Sequence, residues 1–109
     1  MPTIPAPVDV DGNITVPAEG GLVVPIKEQT NATPPVPINI SATPMRFHVR
    51  GRVNKLLTIN PNDALGKLLT LTEIEADMLS SSWTSFQLLD ETNPLIPVPI
   101  WSGKIRRGT

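Results

Sequence analysis

Few side chains in this 109-residue chain are of a kind that does chemistry, and their spacing does not assemble them. The one histidine, His48, falls in Met45-Arg46-Phe47-His48-Val49-Arg50, where strict alternation places it between two arginines on the outward face of a strand. As a general base it would need a carboxylate or hydroxyl partner, and no spacing supplies one. Asp9 and Asp11 form a D-x-D fragment that lacks the remaining ligands of a calcium loop. With no cysteine, thiolate metal sites, disulfides and cysteine nucleophiles are removed together. Gly20-Gly21 precedes a strand and matches neither a dinucleotide fingerprint nor a phosphate loop. The chain is read as a non-enzyme, with no catalytic residue, cofactor or metal expected.

What remains is binding. Arg46, His48 and Arg50 make one cationic face, inside a stretch from Thr43 to Pro61 that also holds Arg52 and Lys55 and no acid. The stretch before it, Met1 to Ala42, has four acids and one lysine. Either the basic face is simply solvated, or it docks an acidic protein surface such as the N-terminal half of a neighbouring copy. Nucleic acid is not the expected partner, because Phe47 points inward and no other aromatic is interleaved with the basic residues to stack on bases. A second contact region is the N-terminus. Met1 to Val10 carries Pro2, Pro5 and Pro7 and shows neither helical nor alternating periodicity, so residues 1–12 are read as an extended, proline-stiffened arm. It is either a disordered terminus or a strap that grips a neighbouring subunit through Pro2, Ile4, Pro5, Pro7 and Val8, its stiffness lowering the entropy lost on binding.

These residues must be positioned by the remaining chain, 13–109, read as one all-β domain. Thirteen prolines exclude a helical bundle. About seven short strands are expected, in an antiparallel sandwich with an aliphatic core. Ile14 to Pro17 opens the series, and Glu19-Gly20-Gly21 turns into Leu22–Ile26, which Pro25 either places on an edge or breaks. Ile38 and Ile40 alternate inward. Met45, Phe47 and Val49 are core positions of the next strand, which continues through Gly51-Arg52-Val53. Leu56 to Ile59 follows, and Asn60-Pro61-Asn62-Asp63 is a turn. Gly66 to Leu71 leads into Thr72-Glu73-Ile74-Glu75, whose Thr and Glu three apart form a capping box. A helix of about 72–80 is expected there, with Ile74, Met78 and Trp83 pinned onto the sheet. Beyond it, Phe86 and Leu88 face the core and Leu89 lies on a partly covered outer face. Pro94, Pro97 and Pro99 make their segment run along an edge or bridge two sheets, and a bulge near Ser102-Gly103 reconciles adjacent Ile100 and Trp101.

No window approaches the ~20 apolar residues of a membrane span, and Met1-Pro-Thr-Ile-Pro5 has neither a basic region nor an apolar one of a signal peptide. Asn13-Ile-Thr, Asn31-Ala-Thr and Asn39-Ile-Ser match the glycosylation sequon and are taken as chance. A net charge of −1 supports no global attraction to nucleic acid.

Gly66-Lys-Leu-Leu-Thr-Leu-Thr-Glu-Ile-Glu-Ala-Asp-Met-Leu79, then Phe86-Gln-Leu-Leu-Asp90, then Trp101-Ser-Gly-Lys-Ile105 together resemble small immunoglobulin-like domains of tailed-phage virion proteins. In that pattern a G-x-L-x-L-T strand enters a short helix, followed by a strand ending in Asp and one of form G-x-I. The stretch is similar to the N-terminal domain of siphophage upper baseplate proteins. The resemblance implies an immunoglobulin-like sandwich used for attachment and a protein made in a bacterial cytoplasm that ends in the virion. No receptor-binding portion follows Arg107, and the first 44 residues hold nine of the thirteen prolines, which turns the expectation toward a free-standing accessory subunit. That subunit is expected to be a capsid decoration or cement protein, present in many copies, with the major capsid protein as partner. A tail, neck or baseplate adaptor and a host-directed binding module outside the virion are the alternatives.

Overall fold

Strict alternation at Met45–Val49 (β5) makes Met45, Phe47 and Val49 buried and leaves Arg46 and His48 half-buried on the other face. The same rule shapes Ile14–Val16 (β1) and Lys67–Leu71 (β8), where Ile14, Val16, Leu69 and Leu71 are buried. The computed structural model describes Val8 and residues 12–108, and among them there are ten strands and one helix. The others are Leu22–Ile26 (β2), Glu28–Gln29 (β3), Pro37–Ile38 (β4), Val53–Leu56 (β6), Thr58–Ile59 (β7), Thr84–Asp90 (β9) and Val98–Arg107 (β10).

The chain is all-β apart from that helix. One sheet has the order β1-β10-β9-β5-β6 and another the order β2-β8-β7, while β3 and β4 form a separate two-stranded ribbon. Buried residues of the two larger sheets belong to one hydrophobic cluster. Three ring systems cross its centre: Phe47 and Phe86 lie 5.2 Å apart, and Phe86 meets Trp101 edge-on at 4.9 Å. Gly103 is paired with Phe86, and a Cβ there would lie 3.1 Å from that ring and 2.7 Å from the Gly12 carbonyl. The glycine lets an aromatic ring and a second backbone occupy the same cross-strand position.

The strands depart from the expected series in five places. β1 pairs parallel to β10, so the sheet is mixed rather than wholly antiparallel. The strand through Arg50 stops at Val49 and turns at Gly51 (φ +73), giving a tight β5–β6 hairpin where a continuous strand is expected. Leu56 to Ile59 is not one strand: buried Leu57 marks a crossing from the larger sheet to the smaller, held by its N–H donating to the Met45 carbonyl at 2.9 Å. Ile38 is exposed, because Pro37 and Ile38 pair with β3 outside the core and only Ile40 turns in. The bulge exists but sits at Ile100, between Pro99 and Trp101. Gly103 is spent on ring packing, and Pro99, which has no N–H for the ladder, is where the register slips.

Helix Glu73–Asp77 (α1) begins at the capping box. Thr72 Oγ1 accepts from the Glu75 N–H at 3.2 Å and Glu75 Oε1 accepts from the Thr72 N–H at 3.0 Å. The same carboxylate takes Lys55 Nζ at 2.7 Å. Burial acts to raise the Glu75 carboxyl, but the hydrogen bond from Lys55, the Thr72 backbone N–H and the Lys55 charge outweigh it and hold it below the ordinary glutamate value. The inward face is Ala76 and Leu79, three apart, and not the expected Ile74, Met78 and Trp83; Ile74 is 72% exposed. With the reciprocal cap aiming Glu75 back at Lys55 on β6, the turn is rotated so that small Ala76 approaches the sheet. A helix of five residues has too few turns for its own apolar spacing to choose a face.

Thr72→Ala is expected to cost about 1 kcal/mol in urea denaturation, Phe47→Ala about 3–5 kcal/mol, and Ile74→Ala less than about 0.5 kcal/mol. Equal losses at Phe47 and Ile74 would contradict the packing. Because the Glu75 carboxyl is lowered in the fold, its contribution exists above its unfolded value and is lost as pH falls through the folded one. Glu75→Gln should therefore lower the melting temperature near neutral pH, with the gap to the parent chain closing below about pH 4.5.

Candidate binding surfaces

Arg46 and His48 stand side by side on the outer face of β5, as alternation requires, but Arg50 does not join them. It is exposed in the hairpin turn, one residue beyond the strand. Arg46 is also engaged within its own chain: Nε donates to Glu91 Oε1 at 3.0 Å and Nη1 to Asn54 Oδ1 at 2.7 Å. His48 lies between Asn54 on β6 and Gln87 on β9, both uncharged. Of the other basic residues in this stretch, Arg52 Nη1 donates to the Met78 carbonyl at the end of α1, at 2.9 Å, and Lys55 is held by Glu75. Arg46, Arg52 and Lys55 therefore meet counter-charges or acceptors inside the fold, while Arg50 stands exposed in the turn. A continuous cationic face does not form.

The N-terminal contact residues divide. Pro2, Ile4, Pro5 and Pro7 lie outside the described residues. Val8 is half-buried, forms an antiparallel bridge with Ile14 and packs against the hydrophobic cluster. Gly12 (φ +80) passes so close to β10 that a Cβ would lie 2.9 Å from Trp101 Nε1. Lys104 N–H donates to Asn13 Oδ1 at 3.0 Å. Val8 and Gly12, both within the span read as an arm, are thus in contact with the domain itself.

Arg107 does more than its place among the terminal basic residues suggests. Its Nε and Nη2 donate to the Ala18 carbonyl at 3.2 and 2.8 Å, its Nη1 donates to the Gly20 carbonyl at 3.2 Å, and Nη2 lies 3.3 Å from Asp77 Oδ1. Its backbone N–H donates to the Ser80 carbonyl at 2.8 Å. One largely buried guanidinium thus ties the β1–β2 turn and the end of α1 to β10. Beside it, the Arg106 guanidinium lies 4.3 Å over the Trp83 ring, which explains why Trp83 stays near the surface.

Two apolar features have no counterpart in the sequence reading. Leu95 and Ile96, in the β9–β10 turn, are 89% and 67% exposed, with Val98 and Ile100 exposed behind them. An apolar cleft of about 360 Å³ opens between β2 and β10, lined by Val8, Val24, Ile40, Met45 and Trp101 among others. The signal for the turn was present: prolines at 94, 97 and 99 deny its aliphatic residues a regular face to bury. Among the described residues no group of three or more His, Cys, Asp or Glu could hold a metal ion. No helix among them is long and apolar enough to cross a membrane. No family model, curated protein or solved structure matches the chain.

Arg107→Ala leaves two carbonyls without their donors and should cost about 2–3 kcal/mol in chemical denaturation. Asp77→Ala, which removes only the exposed partner, should cost about 0–1 kcal/mol. A neutral Arg107→Ala would show that the clamp does not hold the domain's edge.

Proposed function

We propose that this chain is a tailed-phage virion structural protein, an immunoglobulin-like β-sandwich that works by attachment and not by catalysis. Strand order supports the fold: β5, β9 and β10 neighbour one another in one sheet with β6 added at the edge, and β2, β8 and β7 form the other. That order is compatible with an immunoglobulin-type sandwich, in which a C-F-G sheet extended by C′ faces a sheet containing B, E and D. The capped helix between β8 and β9, and Gly103 opposite Phe86, give the residues that carry the phage resemblance a shared structural role.

The observation that carries the attachment reading is the uncovered apolar turn at Leu95 and Ile96. Soluble domains seldom expose neighbouring large aliphatic residues unless something covers them in use. Arg46, Arg52 and Lys55 meanwhile have partners within the domain, which leaves fewer of the basic residues in this stretch free for electrostatic capture. The role proposed is decoration or cementing of the capsid, with assembled capsid protein as partner.

Particles lacking the protein should assemble but rupture more readily on heating or osmotic shock, and adding the purified chain back should restore their resistance. Equal robustness with and without it would reject the cement role. A ring stoichiometry in purified particles would instead place it in the tail, neck or baseplate, and its absence from purified virions by mass spectrometry would overturn the virion reading altogether.

A further inference from the structure

Of the nine lysines and arginines, five are held by their own chain: Lys27 by Asp63, Arg46 by Glu91, Lys55 by Glu75, Arg107 by Asp77 and Arg52 by the Met78 carbonyl. Arg50, Lys67, Lys104 and Arg106 have no acid or carbonyl partner among the described residues. Two of these four, Lys104 and Arg106, stand on one strand. They are two residues apart on β10, so both exposed side chains leave the same face of the larger sheet, about 7 Å from each other along the strand. Register places the rest of that face. Lys104 pairs with Ser85 and Arg106 with Thr15, and the next row runs Ser102, Gln87, His48 and Asn54 across β10, β9, β5 and β6. None of these positions is acidic, and Glu91, beyond the end of β9, is taken by Arg46. Arg106 is also held in position. Its guanidinium lies 4.3 Å over the Trp83 ring, while none of its N–H groups donates to an oxygen of the described residues. The group is fixed without being satisfied, and its fork of donors suits a carboxylate bound through both oxygens.

We propose that this face docks an extended, carboxylate-rich segment of a partner protein. Alternate side chains of an extended segment fall about 7 Å apart on one side, so acids at every second residue meet Arg106 and Lys104 in turn. Ser85, Ser102, Gln87 and His48 supply hydrogen-bonding groups beside them. Charge complementarity is what names the occupant: the outward positions of β9 and β10 offer cations and neutral polar groups, and no acid. Nucleic acid is the poorer match. Arg106 already covers the exposed ring of Trp83 that a base would need for stacking, and a net charge of −1 gives no long-range attraction to phosphates. The contact does not use the Leu95–Ile96 turn and stands whether or not the protein is a virion component.

Fluorescence anisotropy of a labelled peptide of alternating Glu and Ser, titrated with the full chain at low ionic strength, should show binding that weakens as salt is added. Arg106→Ala should weaken it about tenfold or more, the effect of removing hydrogen bonds to a charged acceptor. Arg106→Lys, which keeps the charge but not the fork, and Lys104→Ala should each weaken it several-fold. All three variants should keep the parent melting temperature, because both side chains are exposed. Lys27→Ala removes an exposed charge beyond the end of β2, outside this face, and should leave binding unchanged. A peptide that does not bind would overturn the proposal, as would a loss in Lys27→Ala as large as in Arg106→Ala, or parental binding by both Arg106→Lys and Lys104→Ala. Tighter binding of an oligodeoxythymidylate of equal charge would assign the face to nucleic acid, and would likewise overturn it.

Discussion

Packing of Phe86 between Phe47 and Trp101 is the contact on which the rest of this structure depends. The chain has only four aromatic residues, and three of them meet in one row across β5, β9 and β10. Large rings remove more apolar area from water than the aliphatic residues around them, so a core otherwise built of Ile, Leu and Val is centred where they meet. Their placement imposes conditions on neighbours. Position 103 must be glycine for the Phe86 ring and the Gly12 backbone to share its space. Trp101 must point inward, which forces the extra residue, Ile100, out of register and toward the surface. The partial exposure of Ile100 is thus a consequence of how the core is filled.

A second constraint is how the ends are secured. β1 is only three residues long, yet it closes the larger sheet by pairing parallel to β10. Three parallel pairs are a slender attachment. Arg107 reinforces them by donating to the turn that follows β1 and lying against Asp77 of α1, while the Arg107 N–H reaches Ser80 beyond the helix. The short helix, which would not persist alone, is held at its start by the Thr72–Glu75 cap and Lys55 and at its end by Arg52 and Arg107. Cations that look like a docking face along the sequence are therefore engaged mainly in holding one end of the domain shut.

Alternation made β1, β5, β8 and β9 legible, because a half-buried strand writes its period into the chain. The capping box located the start of α1 to within a residue, since cap chemistry is local, but the helix ends at Asp77 and not near residue 80 as expected. The candidate surface was less legible. Alternation correctly put Arg46 and His48 outward, but it carries no information on what lies across the sheet, and nothing in the sequence marks Glu91 or Asn54 as partners of Arg46. Arg50 was assigned to the same face because Gly51 reads equally well as a strand residue or a turn. The cleft was not legible at all: its walls come from β2, β5, β9 and β10, and their separation is a property of the assembled sheets.

By itself the sequence determined the all-β class, the strands whose side chains alternate, the helix start and the inward set Phe47, Phe86 and Leu88, since each follows from local stereochemistry and burial of apolar surface. Tertiary structure alone decided the face of α1, the crossing at Leu57, the parallel closure by β1 and the pairing of Arg46 with Glu91. Those outcomes depend on which distant segment arrives alongside, and a one-dimensional pattern records a residue's own preference without naming the neighbour that satisfies it.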